Sequence, residues 1–276
     1  WYSEEKVLVG ESELADRREV QVDNTLVRIN RITLTNFKNT RKGIIEMPAF
    51  SEKNMFSEHA DVLGIYGQNG SGKTSVVEAL RFIKKLLKGE TLSSDTEQYI
   101  TQDELECNIE VLFSIFNEKE KMTVTYNVAF KKMKENFVIS QEKLAVTPRN
   151  EGVRATESVL VDYRFENDEI TFFPEYRYKK MVASEKKMRV ALNVAQAISI
   201  KDHQSFIFGE EGYQLFSNCK NDVMGEFKDV FFYLHKYCSK KCLFLLLHLL
   251  LLKISLLFYL SYHIQLPLFS IVFLLL

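Results

Sequence analysis

The chain has 276 residues, of which 46% are hydrophobic and 26% charged, and its formal net charge is −1. This composition excludes a disordered or collagen-like chain and predicts one or two globular domains. The net charge also excludes the overall basic field of a nucleic-acid coat protein, so nucleic-acid binding would depend on a local patch. Four cysteines without an N-terminal apolar segment of the signal-peptide type favour reduced thiols and a cytoplasmic location.

The first predicted elements are strands. Residues 1–24 are polar, mostly acidic and begin with Trp1, so we interpret them as an N-terminal extension. Apolar and polar residues alternate from Val27 to Leu34, which predicts a strand pair or one bent strand. A further strand is predicted at 44–47. The apolar run at 61–66 has the length of a buried strand and ends at Gly67.

A helix is predicted next, followed by a sheet. Val76, Leu80, Ile83 and Leu87 lie on one face of a helix that spans about residues 72–88. Beyond it, alternating segments separated by Asn, Lys and Glu turns predict an antiparallel sheet. The strands are predicted at 105–116, 121–130, 136–146, 158–165 and 169–173, and two later helices at 188–199 and 223–235.

The motif that carries chemistry lies between the strand at 61–66 and the helix at 72–88. It fits the phosphate-binding loop pattern G-x-x-x-x-G-K-[ST] at every defined position. Its glycines allow successive backbone N–H groups to turn inward around a phosphate at the positive end of the helix. The lysine would reach the β- and γ-phosphates, and the threonine hydroxyl would bind Mg²⁺. The predicted nucleotide-binding residues are Gly67, Gln68, Asn69, Gly70, Ser71, Gly72, Lys73 and Thr74, with Thr74 as the Mg²⁺ ligand.

Two segments together resemble a known family. Residues 31–38 (RITLTNFK) and 65–80 (IYGQNGSGKTSVVEAL) look like the amino-terminal lobe of SMC/RecF-type ABC ATPases, and most closely like AAA-family ATP-binding proteins of the OLD and abortive-infection type. The resemblance implies an α/β P-loop NTPase fold over residues 25–237. It also implies ATP and Mg²⁺ as cofactors, a homodimer formed through the ATPase head, and Lys38 and Asn39 as neighbours of the nucleotide base.

The sequence departs from that family in its second half. No Leu-Ser-Gly-Gly-like signature occurs, and no apolar run ends in Asp-Glu. The run that ends in Asp162 has the form of a Walker B strand, but Tyr163 stands where the catalytic Glu belongs, so we interpret it as an ordinary strand. Gln98 and Gln102 are candidates for a Mg²⁺-contacting glutamine, although a solvated loop position fits each better. The catalytic residues therefore stay unassigned.

Two further groups of residues favour structural roles. His235, Cys238, Cys242 and His248 could supply zinc ligands, but their spacing matches no finger or ribbon pattern. The lysines at 84, 85 and 88 fit a solvated helix end that complements the helix dipole. No motif in the sequence supports nucleic-acid binding.

The composition changes abruptly near the end of the chain. Residues 238–276 form a leucine-rich tail, and 243–276 contain 16 leucines, with Lys253 as the single permanent charge. The stretch 254–276 is long enough to cross a bilayer, which would make the protein membrane-associated. Polar residues interrupt that stretch, and it contains no Gly or Ala, so we prefer a damaged reading frame near 236–241, and hence a truncated head, to a native membrane anchor.

These observations support two hypotheses about function. The first is an ATP-binding and ATP-hydrolysing head that acts in DNA maintenance or antiphage defence. The second is a membrane-tethered nucleotide-binding protein without hydrolysis. ATP turnover would favour the first hypothesis, and stable binding without turnover would favour the second.

Overall fold

A computed structural model describes most of the chain between its two ends. The described residues are 25–48, 50–51, 54–59, 62–68, 72–133, 137–149, 152, 155–166, 169–184, 186–217, 228–239 and 272–275. The predicted N-terminal extension and residues 240–271 of the tail lie outside them.

The main structure is a seven-stranded antiparallel sheet with the strand order β2-β1-β4-β5-β6-β7-β8. The strands are β1 (Leu26–Phe37), β2 (Thr40–Glu46), β4 (Glu106–Phe116), β5 (Lys121–Lys132), β6 (Phe137–Pro148), β7 (Ser158–Glu166) and β8 (Glu169–Phe173). Strands β4 to β8 are sequential neighbours joined by short connections, which is the arrangement that closely spaced strands adopt. The predicted antiparallel sheet is therefore confirmed.

The first strand shows how the sequence specifies the core. The alternation between Val27 and Leu34 belongs to one bent strand, β1, whose pairing with β4 shifts register between Ile29 and Arg31. Such a bulge bends a strand and re-aims its side chains. As a result Ile29 and Ile32 are both buried although they are three residues apart.

Helix α1 (Lys73–Leu87) packs on this sheet through the apolar face that the sequence predicts. Phe82 meets Phe130 of β5 edge to face, with 4.6 Å between ring centroids, and also contacts Phe37 of β1. Such aromatic contacts fix the position of a helix on a sheet because the ring geometry is directional. The N-terminus of α1 is thereby held at a defined place.

Four helices follow the sheet: α2 (Glu175–Ser184), α3 (Lys186–Asp202), α4 (Glu210–Ser217) and α5 (Asp229–Ser239). The predicted helix at 188–199 lies within α3. The predicted helix at 223–235 overlaps α5 from Asp229 onward, and residues 218–227 lie outside the described part of the chain. Helices α2 and α4 were not predicted from the sequence.

A buried carboxylate joins the sheet to these helices. Glu142 on β6 has no exposed surface and lies under the turn between α3 and α4. One carboxylate oxygen accepts hydrogen bonds from the hydroxyls of Tyr126 (2.5 Å) and Ser205, and the other accepts from the backbone N–H groups of Phe206 (2.7 Å) and Ile207 (3.3 Å). Burial raises the pKa of Glu142, and these hydrogen bonds oppose the rise.

Strand β3 (Val62–Ile65) lies outside the seven-stranded sheet. It pairs antiparallel with β9 (Val272–Leu275), so that Val62 is opposite Leu275 and Ile65 is opposite Val272. The last four described residues of the leucine-rich tail are thus a β-strand. None of the helices in the described part of the chain is long and apolar enough to cross a membrane.

Candidate phosphate-binding site

The predicted phosphate loop lies between β3 and α1. β3 ends at Ile65 and α1 begins at Lys73, so the strand, loop and helix follow one another as the motif requires. Gly72 is the residue before the helix and has φ +85°, a left-handed conformation that costs a residue with a Cβ about 1–2 kcal/mol. The glycine before the motif lysine is therefore required by the backbone itself.

Lys73 is folded back over the loop. Its side chain is only 7% exposed, and Nζ donates to the carbonyl oxygens of Gly67 (2.7 Å) and Gln68 (2.6 Å). These two contacts hold the ammonium group against the first two residues of the loop, next to the N-terminus of α1. Asn69, Gly70 and Ser71 complete the motif but lie outside the described residues.

Thr74 follows Lys73 on the first turn of α1 and is exposed. A hydroxyl at this position, beside the helix N-terminus, is of the kind that binds Mg²⁺ in phosphate loops. No acidic residue lies in the first turn of α1. The described part of the loop therefore supplies a cation and a hydroxyl but no carboxylate.

The turn between β1 and β2 carries the two residues expected beside the nucleotide base. Lys38 has φ +53°, and its Nζ lies 4.9 Å from the centre of the Tyr99 ring. Asn39, at the tip of the turn, is exposed. Their contact with a base stays a prediction.

The carboxylate of Asp162 is bound to other side chains of the sheet. It lies on β7, is 6% exposed, and forms a two-point ion pair with Arg164, with N–O distances of 3.2 and 3.0 Å. The side-chain amide of Gln141 donates to it as well, at 3.0 Å. Tyr163 is a core residue that stacks on Phe206 with 4.7 Å between ring centroids. These contacts agree with the interpretation of the segment as an ordinary strand.

The glutamine candidates are solvated, as their sequence context indicates. Gln98 lies in a 3-10 helix (Ser94–Tyr99), Gln102 lies in the turn before β4, and both are exposed. The segment between them matters in a way the sequence did not signal, because Tyr99 and Thr101 are bound to the β1–β2 turn.

The remaining candidate groups have structural surroundings. His235 stacks on Tyr213 with 4.5 Å between ring centroids, and burial, followed by the nearby Lys88 charge, lowers its pKa. Cys242 and His248 lie outside the described residues, within which no cluster of His, Cys, Asp or Glu could hold a metal ion. At the other end of α1, Lys88 pairs with Glu90 at 3.2 Å. Cys107 is free and buried, and burial raises the pKa of its thiol to about 12.

Comparison with known proteins identifies the region around the loop. Residues 62–197, from the start of β3 into α3, match the family described as "AAA domain, putative AbiEii toxin, Type IV TA system". The chain is 31% identical over 109 residues to the methionine import ATP-binding protein MetN of Ligilactobacillus salivarius, a match that covers 36% of this chain and 31% of MetN. It is 35% identical over 96 residues to the zinc import ATP-binding protein ZnuC of Wolbachia pipientis wMel, covering 33% of this chain and 35% of ZnuC.

These relatives are matched over only part of their length. The chain spans about a third of the curated relatives it matches. Among solved structures, the recombination mediator protein RecF with ATP aligns over 70% of this chain and 42% of RecF, at 19% identity and a TM-score of 0.26. Residues 62–197 are therefore similar to AAA/ABC-type P-loop ATPases, and their strand-loop-helix unit agrees with that similarity.

Proposed function

We propose that this chain binds ATP with Mg²⁺ at residues 67–74 and forms part of an ATP-hydrolysing head. The observation that carries the proposal is the buried Lys73 ammonium, held by the loop carbonyls of Gly67 and Gln68 at the N-terminus of α1. This arrangement brings a full positive charge and the positive end of a helix to the same place. An anionic phosphate chain is the ligand that such a site favours.

Binding would exchange one set of Lys73 contacts for another. The two carbonyl oxygens carry partial negative charges, whereas the β- and γ-phosphate oxygens carry full ones. Hydrogen bonds between an ammonium group and an ionised oxygen are roughly twice as strong as neutral ones. The exchange is therefore favourable when phosphate is present, and the carbonyls hold Lys73 in place when it is absent.

One of the groups expected to bind Mg²⁺ is present in the described part of the loop. Thr74 is exposed at the start of α1 and can offer its hydroxyl. Thr74 would hold Mg²⁺, which would supply positive charge against the negative charge that develops during phosphoryl transfer. The carboxylate and the group that orients the attacking water have no counterpart in the described part of the loop, and Asp162 is held by Arg164.

The described loop has a phosphate-binding lysine and a hydroxyl but lacks these catalytic groups, which leads to a specific proposal for the activity. The chain on its own binds ATP weakly and hydrolyses little of it, because positioned water and opposed donors supply most of the rate of phosphoryl transfer. We propose that hydrolysis needs a partner head that carries the missing groups and faces this site across a dimer interface. We also propose a role in DNA maintenance or antiphage defence, of which the family description, by naming an AbiEii toxin, supports the defence role.

The test is nucleotide affinity with and without the lysine. We expect Lys73→Ala to lower the affinity for Mg-ATP by about 10- to 100-fold, since a charged hydrogen bond contributes about 1.5–3 kcal/mol. Lys85→Ala is the matched control, because Lys85 is an exposed lysine in the last turn of the same helix. Titration calorimetry on the full chain and both variants measures the effect.

A second variant separates phosphate binding from metal binding. Thr74→Ala should weaken ATP binding in the presence of Mg²⁺ and leave binding in EDTA nearly unchanged. Equal ATP affinity for wild type and Lys73→Ala would overturn the assignment of the site. Robust Lys73-dependent turnover by the isolated chain would overturn the proposal that the chain is catalytically incomplete.

A further inference from the structure

The β1–β2 turn lies directly against the phosphate loop. Phe37 of β1 pairs with Thr40 of β2, so Lys38 and Asn39 form a tight two-residue turn. A Cβ at Gly72 would lie only 3.0 Å from Thr40 Oγ1. That distance is tighter than ordinary contact between side chains, so the Thr40 hydroxyl and the last residue before α1 approach closely.

Thr40 is enclosed by glycine on two sides. A Cβ at Gly43 would lie 2.9 Å from Thr40 Cγ2, just as one at Gly72 would lie 3.0 Å from Oγ1. The two branches of the threonine therefore point in defined directions: the methyl group faces Gly43 within β2, and the hydroxyl faces Gly72 at the phosphate loop. Because β-branched side chains have few rotamers, this orientation is held firmly.

The turn that carries Thr40 is itself clamped from the other side. The backbone N–H of Lys38 donates to the Tyr99 carbonyl at 2.6 Å, and the Thr101 hydroxyl donates to the Lys38 carbonyl at 2.7 Å. The Phe37 and Tyr99 rings stack in parallel with 5.6 Å between their centroids. A turn fixed in this way can transmit its position to whatever it touches.

We propose that Thr40 is a positioning residue for the phosphate loop. Its hydroxyl lies against Gly72 and holds that residue in the left-handed conformation from which the Lys73 N–H and the start of α1 face the phosphates. The inference rests on the proposed ATP site and adds a group from a different strand, β2, outside the loop motif. Thr40 acts through Gly72 and so contributes to affinity without touching the reacting atoms.

Three substitutions in the full chain separate the hydroxyl from the shape of the side chain. Thr40→Val keeps the size and branching and loses the hydroxyl, whereas Thr40→Ser keeps the hydroxyl and loses the methyl group. Thr35→Val is the control, because Thr35 is an exposed threonine on the neighbouring strand β1. The measurements are Mg-ATP affinity and the thermal unfolding temperature without nucleotide.

We expect Thr40→Val to lower the Mg-ATP affinity by about three- to tenfold, because an apolar methyl group would replace the hydroxyl beside the polar backbone of Gly72. Its unfolding temperature should stay close to that of the wild type, Thr40→Ser should keep near-wild-type affinity, and Thr35→Val should change neither quantity. Wild-type affinity in Thr40→Val, or an equal loss in Thr40→Ser, would overturn the inference alone. Wild-type protein that binds no ATP would overturn the proposed function and this inference together.

Discussion

Lys73 and Glu142 are both ionisable side chains buried in this protein, yet their surroundings differ in kind. Lys73 is 7% exposed and donates to two backbone carbonyls of a loop. Glu142 has no exposed surface and accepts four hydrogen bonds, two from hydroxyls and two from backbone N–H groups. The lysine lies at the N-terminus of a helix, whereas the carboxylate lies between a sheet and a turn.

This difference in hydrogen-bond partners indicates a different role for each ionisable side chain. A buried charge is costly unless its hydrogen bonds are satisfied. The four donors around Glu142 satisfy its carboxylate. The carbonyl oxygens bound to Lys73 carry only partial charges, whereas phosphate oxygens carry full ones. We therefore assign Glu142 to the stability of the fold, and we propose that Lys73 exchanges carbonyl oxygens for the oxygens of an anionic ligand.

The largest effect on stability should follow from removing the carboxylate. Glu142→Leu leaves the hydroxyls of Tyr126 and Ser205 and two backbone N–H groups buried without their acceptor. We expect the free energy of unfolding to fall by about 2–4 kcal/mol, measured by urea denaturation. Glu157→Leu is the control, because the Glu157 pair with Lys143 is partly exposed and should contribute about 0.5 kcal/mol or less. Equal losses of unfolding free energy in both variants would contradict the structural role assigned to Glu142.

The next effect is a dependence on pH. Burial raises the pKa of Glu142 in the folded protein above its unfolded value of about 4.3, so the folded state binds the proton more tightly than the unfolded state does. The stability that this contributes is fully present below about pH 4 and is lost as pH rises through the folded-state pKa. Glu142→Gln cannot titrate. We therefore expect the unfolding free energy of the wild type, relative to this variant, to fall from pH 4 upward, and a relative increase would contradict the assigned direction.

A smaller effect is expected for the acidic residue that resembles a Walker B aspartate. Asp162→Asn breaks an ion pair with Arg164, whose side chain is 43% exposed, and should lower the unfolding free energy by about 0.5–1 kcal/mol. ATP affinity and the low turnover should stay unchanged, as measured by calorimetry and phosphate release. Loss of turnover with intact ATP binding would instead show that Asp162 completes the catalytic site.

The smallest effect on stability should come from the lysine. Lys73→Met keeps an apolar stem and removes a buried charge, so we expect a change of less than about 0.5 kcal/mol in the unfolding free energy without nucleotide. The same variant should lose the thermal stabilisation that Mg-ATP gives the wild type. A large loss of stability without nucleotide would mean that Lys73 is a structural residue like Glu142.

Several elements could be predicted from sequence because their signals are local. The predicted helix at 72–88 is observed as Lys73–Leu87, since its apolar spacing and the preceding loop motif lie within a few turns. Helix α2 was missed because its face toward the core is weak, with Met181 its one fully buried residue among those whose side chains are described. Helix α4 was missed because it is short and contains Gly212, a residue that disfavours helices.

By itself the sequence determined the position of the predicted phosphate loop between a strand and a helix, and the alternation that builds the antiparallel sheet. Both depend on neighbouring residues, so one window of the chain contains the whole signal. The tertiary structure alone decided that Asp162 pairs with Arg164, that Glu142 is buried beneath Ser205, and that Thr40 faces Gly72. The last two contacts join residues distant in the chain, and all three depend on how strands and helices pack, because burial and register select the partners of a polar group from every segment of the fold.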